Sequence, residues 1–469
     1  MENFNSLNRF LNSKENLNSK SLSKKFLFSL AAVSVLATCA NAQISGAGCS
    51  GTCGTVSDTQ TGKITVSGTG NTSLTITNSG SVNVSNNIAI DFQKDSSIQT
   101  FKNQGTVIGG SNKGSIVIGD SNGNGATITT FENSGVIGNG TSKFGVVIWA
   151  KDDNTNSTIT NFNNSGAISS NTGESIFIKN TTINNFTNSG TISSSQQQGI
   201  NISSGVTIST FKNSGTIGNG ISRFGITVSG SESKKSTITN FNNSGIINSS
   251  TGESVFTKNT TITTFENSGT IKSNSTYGIN ISDGSTIDKF TNKGIIISYG
   301  NNEPTDNSTT YTSSGMRLQR AHIKTFENTG TILGKNGLTV TASTIDKFEN
   351  TGLIESTSEH KLGAAVDITN LTGDVTTIKN FTNSGTIKAD NASGILIEAG
   401  NKIETLNNKG TIEAGLYGIS FFTVDQHGKE INLGQINLEE GSVIKAGQDG
   451  IHIDGSDRGI KAKGIEVKQ

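Results

Sequence analysis

The sequence predicts an all-β protein, a right-handed parallel β-helix in which coils of about 22–25 residues stack into a solenoid with loop insertions. Three observations support this prediction. One phrase recurs along most of the chain, the runs between its copies are short and alternate apolar with polar residues, and the 469 residues include a single proline. Ordinary usage would give about 23 prolines. An internal strand paired on both sides excludes proline because proline lacks the N–H that the ladder needs.

The repeated phrase reads T-I-x-x-F-x-N-x-G-x-I/V, and it recurs at intervals of 22 to 36 residues. Residues 74–82 form a degenerate first copy, and Leu406 takes the place of phenylalanine in the last copy. No stretch keeps the i, i+3, i+4, i+7 spacing of a helix for long, which argues against helical repeats. The phenylalanines of the phrase are Phe101, Phe131, Phe162, Phe186, Phe211, Phe241, Phe265, Phe290, Phe326, Phe348 and Phe381.

A larger duplication is superimposed on the phrase. Residues 131–210 are repeated in residues 211–289, and residues 157–166 recur unchanged as residues 236–245. A fixed phrase at this period is typical of a solenoid.

Stacking gives each repeated position a role. Equivalent residues of successive coils lie about 4.8 Å apart, so the phenylalanines should form an inward ladder with offset ring contacts. Isoleucine should face the interior and the threonine before it the solvent. Each asparagine, placed at the turn, should hydrogen-bond the equivalent amide of the next coil, as we expect for Asn133, Asn188, Asn213 and Asn267. We expect the glycine two residues later to supply a positive φ.

Intervals longer than a bare coil predict loops on one side of the solenoid. The lone Pro304 lies in the longest interval, where a loop is expected. Beyond Gly415 the chain keeps a G-x-I pattern but loses the Phe-x-Asn element. It reaches Gln469 without a capping sequence, so we expect further chain or a partner to cover that end of the solenoid. The predicted loops are 151–156, 229–235, 299–314 and 357–377.

The first 42 residues read as a secretory signal peptide with an extended, polar n-region. An apolar run at 26–37 follows three lysines, and Ala40 and Ala42 form an A-x-A signal for cleavage before Gln43. The apolar run is too short to span a bilayer as a helix. The mature protein is therefore expected to leave the cytoplasm.

Three cysteines lie near this boundary. Cys39 ends a weak lipobox, so lipidation at Cys39 and ordinary cleavage after Ala42 are both open. Cys49 and Cys53 are expected to form a disulfide in an oxidising compartment, with a zinc site as the rival interpretation. We expect residues 43–60 to be an N-terminal cap or linker that holds this pair, and residues 61–469 to be the β-helix.

These features together resemble the passenger domains of autotransporters, the type V secretion proteins of Gram-negative bacteria. The extended signal peptide, the cysteine pair and the Phe-x-Asn-x-Gly coils carry the resemblance over about residues 20–469, and the Asn/Ser/Lys/Ile-rich texture is most similar to repetitive epsilonproteobacterial passengers. The resemblance implies a β-helix displayed by an outer-membrane barrel, which this sequence lacks. We therefore expect the chain to be a truncated or split autotransporter, or to be exported by another route.

Composition and motifs argue against several functions. The chain has equal numbers of cationic and anionic residues, which does not favour nucleic-acid binding. No cofactor, metal or catalytic set is expected: Gly119-Asp120-Ser121 reads as a turn, and Trp149 as core filling or strand-face packing rather than a ligand platform. The four histidines are scattered without metal-ligand spacing: His322, His360, His427 and His452.

The expected function is that of a secreted or surface-displayed adhesin or structural protein, not an enzyme. Its expected partners are components of host-cell or bacterial surfaces, with an outer-membrane translocator if the gene is split, and the chain is expected to be a monomer. Its expected location is the cell surface or the medium, or the periplasm if no translocator is available. The alternatives are a vacuolating or pore-forming toxin passenger, a carbohydrate-active β-helix protein, and an inactive product of a split gene.

Overall fold

The computed structural model describes residues 54–152, 155–303, 313–369, 373–422 and 431–454, together with the backbone of residues 460–467. These residues belong to one compact unit, Ser45–Gln469. Several sequence predictions fall outside the described residues: the signal peptide 1–42 with Ala40, Ala42 and Gln43, the lipidation candidate Cys39, the pair Cys49 and Cys53, Pro304, and His427.

The described chain consists of short strands joined by turns and loops. In chain order the strands are β1 (Thr55–Val56), β2 (Thr59–Gln60), β3 (Ile64–Val66), β4 (Asn71–Ile76), β5 (Ser81–Asn83), β6 (Ile90–Phe92), β7 (Ser97–Asn103), β8 (Thr106–Ile108), β9 (Gly114–Ile118), β10 (Thr127–Asn133), β11 (Val136–Ile137), β12 (Phe144–Ile148), β13 (Ser157–Asn164), β14 (Ala167–Ser170), β15 (Ile176–Ile178), β16 (Thr181–Asn188), β17 (Thr191–Ser194), β18 (Gln198–Ile202), β19 (Val206–Asn213), β20 (Thr216–Ile217), β21 (Phe224–Ser229), β22 (Ser236–Asn243), β23 (Ile246–Ser249), β24 (Val255–Lys258), β25 (Thr260–Asn267), β26 (Thr270–Ser273), β27 (Ile279–Ser282), β28 (Thr286–Asn292), β29 (Ile295–Ser298), β30 (Ser314–Gln319), β31 (His322–Asn328), β32 (Thr331–Gly334), β33 (Asn336–Thr341), β34 (Thr344–Asn350), β35 (Leu353–Ser356), β36 (Ala364–Thr369), β37 (Thr377–Asn383), β38 (Thr386–Ala389), β39 (Ser393–Glu398), β40 (Lys402–Asn408), β41 (Thr411–Ala414), β42 (Ile419–Phe422), β43 (Ile431–Leu438), β44 (Val443–Ala446), β45 (Ile451–Ile453) and β46 (Ile460–Val467).

Every third strand joins the same parallel sheet. Sheet A runs from β1 to β46 with 16 strands, sheet B from β2 to β44 with 15, and sheet C from β3 to β45 with 15. Each coil thus contributes one strand to each of three faces, and equivalent residues pair in register, as Phe131 does with Phe101 and Phe162. This topology confirms the predicted parallel β-helix. The first two strands, β1 and β2, lie within the segment expected to be a cap or linker.

The phenylalanines of the phrase form one continuous stack inside the cylinder. All eleven are at most 1% exposed, and neighbouring ring centroids are 4.3–5.0 Å apart. From Phe131 onward the rings are nearly parallel, with interplanar angles of 20° or less. Leu74 continues the stack at one end, and Leu406 and then Ile436 at the other. The stack therefore extends past Gly415, where the phrase itself is lost.

The asparagines of the phrase form a second ladder beside the rings. Each side-chain Nδ2 donates to the Oδ1 of the next coil at 2.7–2.9 Å, over eleven consecutive bonds from Asn103 to Asn408. These asparagines are buried at the ends of the sheet A strands. All the amides of the ladder donate towards the C-terminal end of the solenoid. Asn103 Oδ1, at the other end, is buried without a hydrogen-bond partner because the preceding coil has Ile76 at the equivalent position.

The glycines of the phrase are required for a different reason from the one predicted. None of them has a positive φ; a Cβ on Gly215, for example, would overlap the carbonyl oxygen of Gly190 in the coil below. The same clash recurs at each copy from Gly105 to Gly410. Positive φ occurs elsewhere, for instance at Asn180 and Asn259 on the corner between sheets C and A. The predicted φ role was wrong, and close approach of stacked backbones explains these glycines.

Coil length varies at two corners, not on one side as predicted. The corner from sheet A to sheet B is two residues long from β7 through β41, whereas the corners on both sides of sheet C carry insertions. The insertion at 299–313 lies between sheets B and C, and that at 230–235 lies between sheets C and A. The predicted loop 357–377 is interrupted by β36 (Ala364–Thr369), which is buried in sheet C. Sheet C is therefore the face that loops flank on both edges.

Removing one ring from the stack should leave a cavity that neighbouring coils cannot fill, because each ring is fixed by the coil above and below. We expect Phe211→Ala to lower the free energy of unfolding by about 3–5 kcal/mol. Urea unfolding followed by the fluorescence of the single tryptophan measures this loss. The outward Thr210→Ala, one residue away on the same strand, is the matched control and should stay within about 0.5 kcal/mol of the unaltered protein. Equal effects of the two changes would contradict an energetic role for the stack.

The corner glycines supply a second test. Gly215→Ala places a Cβ against the backbone of the adjacent coil, whereas Gly62 has open space around it and no positive φ. We expect Gly215→Ala to destabilise the protein by at least about 2 kcal/mol or to prevent folding, and Gly62→Ala to change stability by less than about 0.5 kcal/mol. Thermal unfolding of both variants measures the difference. A well-folded Gly215→Ala protein of normal stability would refute the close-approach explanation.

Candidate interaction face

The outward residues of sheet C differ in chemistry from those of sheet A. From β7 to β40 the outward positions of sheet A are polar or charged, as at Thr130, Glu132 and Lys212. The middle position of sheet C instead forms a mixed row, which we call the sheet C row. Register places in it, coil by coil, Val147, Phe177, Asn201, Thr227, Phe256, Asn280, Arg317, Thr339, Asp367, Leu396, Ser420 and His452.

Strand alternation turns these residues outward. Phe177, for example, lies between Ile176 and Ile178, both of which are fully buried in the interior. Phe177 itself is half-buried, as is Phe256 in the duplicated coils. The interior varies little from coil to coil, whereas the chemistry of the row changes with each coil.

The first half of the row contains one constellation twice. In the first copy, Asn201 Nδ2 donates to Glu174 Oε1 at 2.9 Å beside Phe177. In the second, Asn280 Nδ2 donates to Glu253 Oε1 at 3.2 Å beside Phe256. The large duplication in the sequence thus becomes two equivalent side-chain groups on one face.

A cation accompanies an aromatic ring at the edge of each copy. Lys143 Nζ lies 5.2 Å from the ring centre of Phe144, and the Arg223 guanidinium lies 5.2 Å from that of Phe224. At such distances the cation is attracted to the ring face. The two contacts occupy corresponding places before β15 and β24.

Trp149 packs on the outside of sheet C. Its ring meets that of Phe177 edge-on at 6.4 Å, and its Nε1 donates to the Gly119 carbonyl at 3.2 Å. The side chain is half-buried, so one end is held by packing and the indole N–H by a backbone acceptor. Of the two structural roles that the sequence left open, this is the strand-face one.

Beyond Asn280 the row is buried as far as Ser420, and its members there are polar except for Leu396. The guanidinium of Arg317 lies 5.2 Å from the Tyr277 ring centre, and its Nη1 donates to the Tyr277 hydroxyl at 3.3 Å. Further along, Asn336 Nδ2 donates to Asp367 Oδ2 at 2.7 Å. Thr339, in the coil between them, is 3% exposed.

Asp367 is a fully buried acid of the sheet C row. Burial raises its pKa well above the usual value, and the nearby carboxylate of Glu398 raises it further. Its Oδ2 accepts from Asn336, while Oδ1 has no hydrogen-bond partner among the described residues. A neutral carboxyl group at this depth is therefore favoured over a carboxylate.

Ion pairs anchor the flanking loops. On the corner between sheets B and C, Glu303 accepts from Lys335 Nζ at 2.5 Å and from Ser358 Oγ at 2.6 Å. Burial acts to raise the pKa of Glu303, but these hydrogen bonds outweigh it and hold the pKa below its usual value. The pairing ties the 299–313 insertion to two following coils.

On the corner between sheets C and A lies a charged cleft of about 510 Å³. Asp283 pairs there with Lys258 at 3.6 Å and with Arg320 at 3.1 Å, and Lys235 Nζ donates to the Gly284 carbonyl at 2.9 Å. Because cations and anions pair within the cleft, it presents little net charge to a ligand.

The remaining sequence candidates have ordinary partners. Asp120 closes a turn by accepting from the Asn122 N–H at 2.9 Å. His322 pairs with Asp346 at 3.1 Å, and His452 pairs with Asp449 at 2.9 Å while stacking on Tyr417. The described residues contain no group of three or more His, Cys, Asp or Glu side chains that could hold a metal ion.

Comparison with known proteins gives no relative. No family model, no curated protein and no solved structure matches the chain. Within the described part of the chain, no helix is long and apolar enough to cross a membrane.

Sequence reasoning missed the sheet C row. Its members come from coils of different length, so no fixed spacing marks them: Thr227 and Asn201 are hydrogen-bonded at 3.0 Å across 26 residues. The duplication of residues 131–210 in 211–289 was the available signal, because Glu174, Phe177 and Asn201 recur in the second copy as Glu253, Phe256 and Asn280.

The buried carboxyl group yields a pH-dependent prediction. Because the folded-state pKa of Asp367 is raised, the unfolded chain loses this proton more readily, and stability falls as the pH rises above about 4. Asp367→Asn removes that cost while its side-chain oxygen still accepts from Asn336. We expect the variant to be more stable than the unaltered protein at pH 7, with the gap closing towards pH 4. Thermal unfolding across this range measures the gap, and Asp58→Asn, an exposed site, should show none.

Proposed function

We propose that the protein is an exported passenger-type β-helix that works as an adhesin, and that the sheet C row contacts components of host-cell or neighbouring-cell surfaces. The observation that carries the proposal is the chemical difference between the two outward faces. Sheet A is uniformly polar, whereas sheet C presents half-buried aromatic rings beside hydrogen-bonded carboxylates and is flanked by loops on both edges.

The architecture supports a binding role. Each added coil lengthens the stack by about 4.8 Å, so repetition of one sequence phrase builds a long face. Loops that flank such a face vary without disturbing the interior, because the ring and amide ladders lie away from these corners. The predicted signal peptide adds a route out of the cytoplasm.

Cell binding tests the proposal. Beads coated with the purified protein should adhere to epithelial cells or to bacterial cells, and the double variant Phe177→Ala/Phe256→Ala should lower adhesion by about tenfold because it removes both half-buried rings. Thr187→Ala/Thr264→Ala, at outward positions of sheet A, is the matched control and should adhere normally.

Antibody labelling of intact cells of the native producer tests export separately. Surface label is expected. Label only after permeabilisation, or equal adhesion by both double variants, would overturn the proposal.

A further inference from the structure

We infer that the sheet C row holds two equivalent subsites for a neutral polysaccharide that lies along the axis of the solenoid. The first subsite is formed by Phe177 and Glu174, the second by Phe256 and Glu253. This inference rests on the proposed contact face and names the chemistry that the face would recognise.

Geometry sets the spacing of the two subsites. Phe177 and Phe256 occupy the same position of the row, and the strands that carry them, β15 and β24, are three coils apart in sheet C. With about 4.8 Å between adjacent strands, the subsites are roughly 14 Å apart along a straight line. Repeated sites at a fixed spacing along one line match a ligand that is itself a linear repeat.

Each subsite combines an apolar surface with a held acceptor. The Phe ring is half-buried, so part of its apolar surface is available to the C–H groups of a sugar ring. The Glu carboxylate beside it is half-buried and is oriented by the Asn amide of the next coil, at 2.9 Å in one subsite and 3.2 Å in the other. A carboxylate only accepts hydrogen bonds, so it suits the hydroxyl groups of a carbohydrate.

Charge and backbone pairing argue against other polymers in this arrangement. The carboxylates of Glu174 and Glu253 disfavour an anionic group directly beside the rings, whereas the cations Lys143 and Arg223 lie at the edge of the subsites, over Phe144 and Phe224. An extended peptide binds a sheet by adding a strand to a free edge, but the backbones of β15 and β24 are paired on both sides. A neutral glycan needs neither a counter-charge nor a free edge.

Binding of oligosaccharides to the purified full-length chain tests the inference. Calorimetry with cellohexaose, maltohexaose and mannohexaose, and with the matching trisaccharides, should find at least one hexasaccharide that binds about tenfold or more tightly than its trisaccharide, because only the longer chain reaches both subsites. Phe177→Ala and Phe256→Ala should each lower hexasaccharide affinity to the trisaccharide level, and Phe256→Trp should retain it. Thr187→Ala should have no effect.

Four results would overturn the inference: no binding of any neutral hexasaccharide, binding that both alanine variants retain, tighter binding of hexagalacturonate, or binding of an extended peptide with the same sensitivity to the variants. Circular dichroism of each variant checks that the solenoid is intact. If no oligosaccharide binds but coated beads still adhere to cells through sheet C, the inference is wrong and the proposed function is retained. If oligosaccharides bind but intact cells show no surface label, the proposed function is wrong and the inference is retained.

Discussion

In-register vertical stacking is the constraint on which the rest of this structure depends. The rings of the phenylalanine stack are 4.3–5.0 Å apart, which is the spacing that parallel strands impose on their backbones, so ring contact and backbone pairing are satisfied together. The asparagine ladder adds direction, since each amide must donate upward and accept from below. A coil that slipped by one residue would break the rings, the amides and the backbone bonds at once.

The constraint also decides where the chain is free to vary. At the corner between sheets A and B the glycine of one coil lies against the carbonyl of the next, which leaves no room for a side chain or an insertion. Insertions therefore collect at the two corners that border sheet C. Interior packing therefore decides which outer face can vary, because sheet C is the face that has insertions at the corners on both of its sides.

How far the sequence predicted the molecule follows from the same physics. The inward phenylalanine stack and the asparagine ladder could be predicted because burial and amide pairing act on residue identity at fixed offsets within one phrase. The role of glycine was misjudged because a glycine that serves a positive φ and one that serves close approach look identical in sequence; the backbone of Gly215 distinguishes them. The sheet C row was missed because loops of unequal length separate its members in the sequence, and these members come into register only in the folded solenoid.

Exposure along the row sets a limit on what can bind there. From Arg317 to Ser420 its members are at most 8% exposed, and hydrogen bonds within the protein already engage Arg317 and Asp367. The half-buried rings and carboxylates lie before this stretch, between Phe177 and Phe256. A ligand that follows the axis therefore meets contact groups over about three coils and then a stretch of the row that is buried. The second half of the row is better suited to fixing the loops over sheet C, and the raised pKa of Asp367 is the consequence of that closure.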